Sequence, residues 1–435
     1  MQNARSTALK ALYNIEKSGA YINIELKKCL DSAEISDADK RLATEICHGT
    51  VKYKINLDFY IKNASSIKIN KISPYVKIIL RMGVYQIKYM DKIPVSAAVN
   101  ESVKLAKRYG GARSGGFVNA VLKKIANSEI EYPKDKAEFL SVKYSYPLEL
   151  CEKFISDFGF DFAKDIMEKS LERPKIYIRV NTLKISVDEF LKILDGEGVE
   201  YEKSTLCADA VRVSKLGFLL KSKYFPDGLF YVQDLSSMLA CKILAPKKGA
   251  SVLDICAAPG GKSTYIAQLM QNDGEIYSSD IYEHKIKLIS ENAKRLGIDI
   301  IKPCISDATA ENKAYFDKFD FVLADLPCSG LGIVNKKPEI KYSVTQNDIS
   351  NLADMGLEIL NNCAKYVKKG GTLVFSLCTF TKDEGEENVK KFLLQNKNFA
   401  LKKIVLDIEN DGFITFYPHI YGTDGFFTAK FIRID

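Results

Sequence analysis

From the first residues to about residue 128, apolar side chains recur on a 3.6-residue rhythm. "ARSTALKALYNI" sets Ala8, Leu9, Leu12 and Ile15 on one helical face, and "YVKIILRMGVYQIKYM" and "AAVNESVKLAKRY" continue the pattern. The rhythm breaks at "YGGARSGG", Tyr109 to Gly116, where four glycines surround Arg113 just after Arg108. It resumes in "FVNAVLKKIA", so a flexible basic loop before a helix start is predicted, a place that can receive phosphate. Prolines and charges in "EYPKDKAEFLSVKYSYP" predict a boundary near residues 130 to 147, with two more helices up to "LERP".

The rhythm then changes. "KIYIRVNTLKI" reads as a strand, "VDEFLKILDGEG" as an amphipathic helix and "DAVRVSK" as another strand, a small α+β module ending near residue 228. From residue 250, short apolar strands alternate with helices, the sign of a doubly wound parallel sheet. The predicted strands are "SVLDIC", "EIYSSD", "IIKPCI", "FDFVLAD" and "GTLVFSLC"; "GKSTYIAQLMQ" and "EHKIKLISENAKRL" are helices between them. "GFITFYP" and "GFFTAKFIRI" predict an antiparallel pair closing one edge.

Composition narrows the partners. The 435 residues suggest two or three domains, and 46% apolar with 27% charged content is that of a soluble globular protein. No apolar run reaches the roughly 18 residues of a membrane span. The N-terminal "MQNARSTALKALYNIEKSGAY" carries charges where a secretion signal needs an apolar centre, so a cytoplasmic location is expected. Ten cysteines are dispersed without a C-x-x-C pair, and His48, His284 and His419 lie far apart, so neither a disulfide framework nor a metal site is expected. The net charge of +8 is uneven: residues 1 to 140 hold 24 basic against 14 acidic side chains, the remainder 39 against 41. A basic module joined to a near-neutral one suggests a polyanionic partner such as nucleic acid.

Candidate chemistry clusters where the later strands end, which is where such sheets bind ligands. In "LDICAAPGGKST" a strand ends, small residues turn the chain and a helix starts at glycines, so backbone N–H groups face a ligand. A Walker P-loop needs glycine where Cys256 stands, and G-x-G-x-x-G is absent, which leaves an ATPase as a near miss. A nucleoside cofactor without a long phosphate chain fits better, with S-adenosyl-L-methionine as the candidate. Asp280 ends the second strand, where a carboxylate can accept both ribose hydroxyls; Asp307 follows the third and could meet an adenine amine. Asp325 ends the fourth.

Cys328 and Cys378 follow the fourth and fifth strands, so the two thiols could face one cleft, whereas Cys29, Cys47, Cys151, Cys241 and Cys363 sit in helical patterns as ordinary buried thiols. A thiolate beside a methyl donor has a use. Cytosine C5 is a poor nucleophile until a thiolate adds to C6, and an acid near N3, a position Asp325 suits, then stabilises the developing charge. The added thiolate must later leave, a step in which a second group helps. Chemistry alone does not say which thiol attacks.

The set "DICAAPGGK", "DLPCSGLG" and "FSLCT" resembles the RNA (cytosine-5) methyltransferases of the Sun/Nop2/NSUN group, the RsmB/NOP family. The basic N-terminus, with "AVNESVKLAKRYGG" and "FVNAVLKKIA", is similar to the NusB-type RNA-binding domain, and "RVNTLK" and "VQDLSS" also fit. The resemblance covers nearly the whole chain. It implies an all-α NusB-like domain over 1–130, a helical linker with a small α+β, RRM-like module over 131–228, and a Rossmann-like class I methyltransferase domain over 229–435. It implies a monomeric enzyme methylating a cytosine of small-subunit (16S) ribosomal RNA. Cys256, Ala257, Ala258, Pro259, Gly260, Gly261 and Lys262 would hold S-adenosyl-L-methionine, with Asp280, Asp307 and Asp325 completing the site. Cys378 would be the nucleophile and Cys328 would assist product release. One departure is Leu377, where the family commonly has threonine. Competing expectations are another RNA substrate such as tRNA, or a non-catalytic RNA-binding factor with a decayed catalytic domain.

Overall fold

The computed structural model describes residues 3–435; Met1 and Gln2, the first residues of the expected N-terminal domain, lie outside the described residues. Two units are defined: residues 3–172 with Val334–Thr345, and Arg173–Ile333 with Gln346–Asp435. Each is described by itself.

The first unit is helical. Its helices start where the sequence supplies caps: Asn3 and Ser6 form a reciprocal capping box before Ala4–Ser18, Ser36 accepts the Asp39 N–H, and Pro74 opens Pro74–Tyr89. Ala8, Leu9, Leu12 and Ile15 are all buried, as the periodicity predicts. The glycine-rich break is shorter than predicted. Helix Ser114–Ala126 begins inside it, because Gly115 lets the helix lie against Lys107 of helix Val95–Tyr109; a Cβ there would sit 2.7 Å from Lys107 Cγ. The two predicted helices follow as Leu148–Phe158 and Phe160–Lys169, but a further helix, Lys136–Tyr144, occupies the stretch read as a boundary. Asp135 caps this further helix, outweighing the nearby prolines, and Gly159 at φ 82° separates the two predicted ones.

Val334–Thr345 joins this unit as a strap. Ile22 N–H donates to the Glu339 carboxylate at 3.1 Å, and the Tyr342 hydroxyl lies 3.0 Å from Ser145 Oγ. Lys341 is fully buried, and its amine donates to the carbonyls of Lys52 (2.9 Å) and Tyr144 (3.2 Å).

The second unit carries two sheets. The smaller has strands β1 (Tyr177–Val180), β2 (Tyr201–Lys203), β3 (Ala210–Val213) and β4 (Phe230–Val232) in the antiparallel order β2-β3-β1-β4, with helix Val187–Gly196 against it. This is a ferredoxin-like module; β2 and β4, three residues each, carry too little pattern to be read from sequence.

The larger sheet holds β5 (Ser251–Ile255), β6 (Glu275–Asp280), β7 (Ile301–Ile305), β8 (Phe319–Asp325), β9 (Val367–Leu377), β10 (Phe399–Leu401), β11 (Phe413–Phe416) and β12 (Phe426–Arg433). The order is β10-β12-β9-β8-β5-β6-β7, with β11 paired to β12. Strands β5 to β9 pair in parallel, and β12 runs antiparallel to β9, β10 and β11. The winding order of the parallel strands reverses at β5, which lies between β8 and β6, and this opens a crevice at the strands' C-terminal ends. The start of helix Gly261–Leu269 and the fully buried Asp254 of β5 line it.

Candidate active site

The turn after β5 takes its shape from residues that tolerate unusual backbone. Cys256 stands at φ 59° and Gly260 at φ 94°, and the next residue begins the helix. A Cβ on Gly260 would come within 3.2 Å of Ile289 Cα, and one on Gly261 within 3.0 Å of the Tyr231 ring. Only glycine permits both the curvature and the close approach. The turn is pinned from the ferredoxin-like module. Arg179, 1% exposed on β1, donates to the Gly261 carbonyl (2.7 Å), Thr264 Oγ1 (2.9 Å) and Gln233, with its guanidinium near the faces of Tyr231 and Tyr265. Burial lowers its pKa to about 10, which leaves it charged at neutral pH.

A pocket of about 210 Å³ opens beside this turn, lined by Cys256, Ala257, Ala258, Pro259, Gly261, Lys262 and Asp325, and from the other side by Gln233 and Asp234. Gly260 turns the chain behind the wall, and Asp280, Asp307, Cys328 and Cys378 are not among its lining residues. Asp280, 5% exposed, pairs with Lys285 at 3.2 Å. Asp307 is exposed and accepts the N–H and hydroxyl of Thr309, the pattern of a turn residue. Burial, then Asp280, Asp325 and Asp254, push the Cys256 thiol up to about 12, so it stays protonated beside the carboxylates.

The strongest charge contact is Lys262 Nζ to Asp325 Oδ2 at 2.6 Å. Burial alone lowers the Lys262 pKa, but the Asp325 charge and hydrogen bond outweigh it and raise it overall. Ser376 Oγ donates to the other Asp325 oxygen at 2.7 Å. Asp254, wholly buried at the floor, is pushed up to about 7 by burial, despite Ser263 at 2.5 Å; its Oδ1 has no protein partner. Gln233 Nε2 is likewise unpaired. A glycine cradle with unpaired buried polar atoms beside it suits a ligand that carries both donors and acceptors.

The cysteines meet because of sheet register. Asp325 on β8 lies opposite Ser376 on β9, so Cys328 and Cys378 leave neighbouring strands side by side, with Sγ atoms 3.2 Å apart. The facing Cys378 and burial raise Cys328 well above the usual thiol value, so Cys328 keeps its proton and can donate it to Cys378. Gly332 N–H donates to the Cys378 carbonyl, and a Cβ on Gly332 would sit 1.8 Å from the Gly425 carbonyl oxygen. Leu377 is buried in the core, in register with Phe427. Among the described residues no cluster of His, Cys, Asp and Glu could hold a metal ion, and no helix is long and apolar enough to cross a membrane.

Arg179, Gln233, Asp254, Ser376 and Glu384 were not singled out from sequence. Gln233 lies in "VQDLSS" and Asp254 in "LDICAAPGG", so both were within quoted motifs. Arg179 opens the quoted "RVNTLK" but looks there like an exposed strand residue, and Glu384 lies outside every quoted motif, in what looks like an acidic helix start.

Fold and site together define a class: a methyltransferase-type α/β domain carried with a ferredoxin-like module and a helical domain. The comparisons agree. Residues 241–432 match the family 16S rRNA methyltransferase RsmB/F, residues 2–127 the NusB family, and residues 146–217 the ferredoxin-like domain of RsmF/B-like methyltransferases. "Probable ribosomal RNA small subunit methyltransferase B" of Bacillus subtilis (strain 168) is 39% identical over 440 residues, covering 98% of each chain. The crystal structure of PH0851 is 28% identical, with a TM-score of 0.81 over 98% of this chain and 97% of that one. NSun6 from Pyrococcus horikoshii with SFG is 27% identical, with a TM-score of 0.60 over 67% of this chain and 99% of that one. The chain belongs to the RsmB/F family of 16S rRNA methyltransferases.

Proposed function

We propose that this enzyme methylates C5 of a cytosine in 16S ribosomal RNA, using S-adenosyl-L-methionine and a transient bond between Cys378 and cytosine C6. The observation that carries the reading is the pair of thiols 3.2 Å apart, on turns that follow the paired Asp325 and Ser376 of β8 and β9. The glycine cradle and the unpaired Asp254 and Gln233 atoms fit the cofactor, with Asp280 and Asp307 as further polar groups for its nucleoside. When bound, the cofactor supplies an electrophilic methyl group.

The Cys378 thiolate adds to C6, and electron density moves toward N3 and C5. Asp325 is tied to a lysine of raised pKa, so the pair's proton resides on Lys262. The ammonium can donate toward N3 while the carboxylate accepts from the 4-amino group. Once C5 is methylated, its proton must leave and the S–C6 bond must break, returning the electron pair to Cys378. Cys328, which keeps its proton, can give it to the departing Cys378 sulfur as the S–C6 bond breaks, while the C5 proton passes to solvent water. A base locked in a folded RNA must first be unstacked, so a flipped or loop cytosine is the expected target. The basic helical domain supplies affinity for phosphates.

Two variants test the scheme. Cys378→Ala should abolish tritiated methyl transfer without trapping RNA, and Cys328→Ala should accumulate a covalent protein–RNA adduct on denaturing gels. An adduct in Cys378→Ala instead would reverse the roles.

A further inference from the structure

Behind the two thiols lies a buried carboxylate that the covalent scheme does not use. Glu384 is 2% exposed. Its Oε1 accepts the backbone N–H of Ser329 at 2.7 Å, and its Oε2 accepts the hydroxyls of Ser329 (2.7 Å) and Thr381 (2.6 Å). Ser329 Oγ also lies 2.9 Å from Thr379 Oγ1, which in turn accepts the Thr381 N–H at 3.4 Å. Ser329 follows Cys328 directly and Thr379 follows Cys378, so one side chain grips both cysteine-bearing turns.

Counting protons fixes the direction of every bond. Ser329 has one hydroxyl proton and gives it to Glu384, so Thr379 must give its own to Ser329; Thr381 gives its proton to Glu384 as well. With a carboxylate at 384 each of these donors has one acceptor. An amide there cannot serve. If Gln kept the bond to Ser329 N–H, its NH2 would face two hydroxyls, and Ser329 would have to turn its proton to Thr379. The Thr379 and Thr381 protons would then lose their acceptors in the network, at a buried position where such losses are costly.

We propose that Glu384 is a positioning residue that sets the distance between Cys328 and Cys378 and so controls the rate of the thiol chemistry. The inference rests on the two-thiol reading above. It predicts that loss of Glu384 acts on turnover and leaves binding alone, because neither Glu384 nor its hydrogen-bond partners line the pocket beside the glycine cradle. Displacing a reacting atom by about 1 Å can cost roughly 100-fold in rate.

The test is steady-state methylation of 16S RNA by the full chain carrying Glu384→Gln, Ser329→Ala or both. Glu384→Gln should lower kcat roughly 100-fold, with unchanged KM for RNA and unchanged S-adenosyl-L-methionine affinity by calorimetry. Ser329→Ala, which keeps the backbone N–H and removes one arm, should lower kcat less. The double variant should be no slower than Glu384→Gln alone, since both act through one network. A wild-type kcat in Glu384→Gln, a loss confined to KM, or losses that multiply in the double variant would each overturn the proposal. Should Glu384→Gln not fold, Ser329→Ala decides: a wild-type kcat overturns the proposal, and a reduced kcat at unchanged KM supports it. A chain in which Cys378→Ala retains activity would instead sink the two-thiol reading itself, whatever Glu384 does.

Discussion

Lys341 in the helical unit and Lys262 in the catalytic unit are both taken largely out of water, and the protein moves their pKa values in opposite directions. Around Lys341 are two backbone carbonyls and the rings of Tyr146 and Tyr342. Burial, reinforced by Lys52, drives its pKa well below the lysine value. Lys262 faces Asp325 at 2.6 Å and has its pKa raised. One carboxylate separates the two cases. In the helical unit a lysine of lowered pKa fastens a strap through two backbone carbonyls, while in the catalytic unit Asp325 raises the pKa of Lys262, the ammonium that the proposed scheme uses.

The largest effect that can break this comparison is on rate. Lys262→Met removes the only proposed donor toward the cytosine ring, and loss of such a donor costs roughly 10²–10³ in kcat. It also leaves Asp325 with Ser376 and no ammonium. Single-turnover methylation is expected to slow by that factor while the RNA is still bound. Lys262→Met at wild-type rate would show the ion pair to be structural, and Lys262 to be no different in kind from Lys341.

The two lysines were not equally legible. Lys262 sits in "DICAAPGGK", a turn whose glycines announce a ligand, and only its pairing with Asp325, 63 residues away, waited for the parallel register of β5 and β8. Lys341 sits in "KKPEIKYSVTQ", between two segments read correctly as strand and strand. Nothing in a strand–helix alternation says that a twelve-residue stretch inside it will group with helices from the start of the chain. The same limit hid Arg179. Alternation makes Ile178 and Val180 core and places Arg179 on the other face of β1, which reads as solvent until the α/β domain covers it. Glu384 is six residues past Cys378, and its role depends on a serine 55 positions earlier. Local periodicity reveals elements and edges; it is silent on which polar side chain bridges two of them.

Lys341→Met sharpens the comparison through stability. Removing the amine takes one donor from the Tyr144 carbonyl and one from the Lys52 carbonyl, which also accepts from Tyr342 at 3.2 Å. An unsatisfied buried acceptor costs about 1–3 kcal/mol, partly offset by methionine filling the space. Urea unfolding should show a loss within that range, and turnover per folded molecule should be unchanged. A collapse of kcat with normal stability would instead make Lys341 a functional group.

The smallest effect is the most diagnostic, because the two lysines should tilt stability with pH in opposite directions. The unfolded chain holds a lysine proton up to about pH 10.4. Folded Lys341, with its lowered pKa, gives that proton up earlier. Between the two values the unfolded state binds more protons, so its contribution grows as pH rises, by at most about 1.4 kcal/mol per pH unit. Folded Lys262 keeps its proton longer, so its contribution is fully present below about pH 10.4 and is lost only as pH climbs through its raised value. Unfolding of the wild type and of Lys341→Met at pH 8 and pH 10 isolates the first term by subtraction. The stability gap between them should widen toward pH 10 in favour of the wild type. A gap that stays constant would mean Lys341 does not change its charge on folding, and a gap that narrows would mean it is folded in as an ammonium, like Lys262.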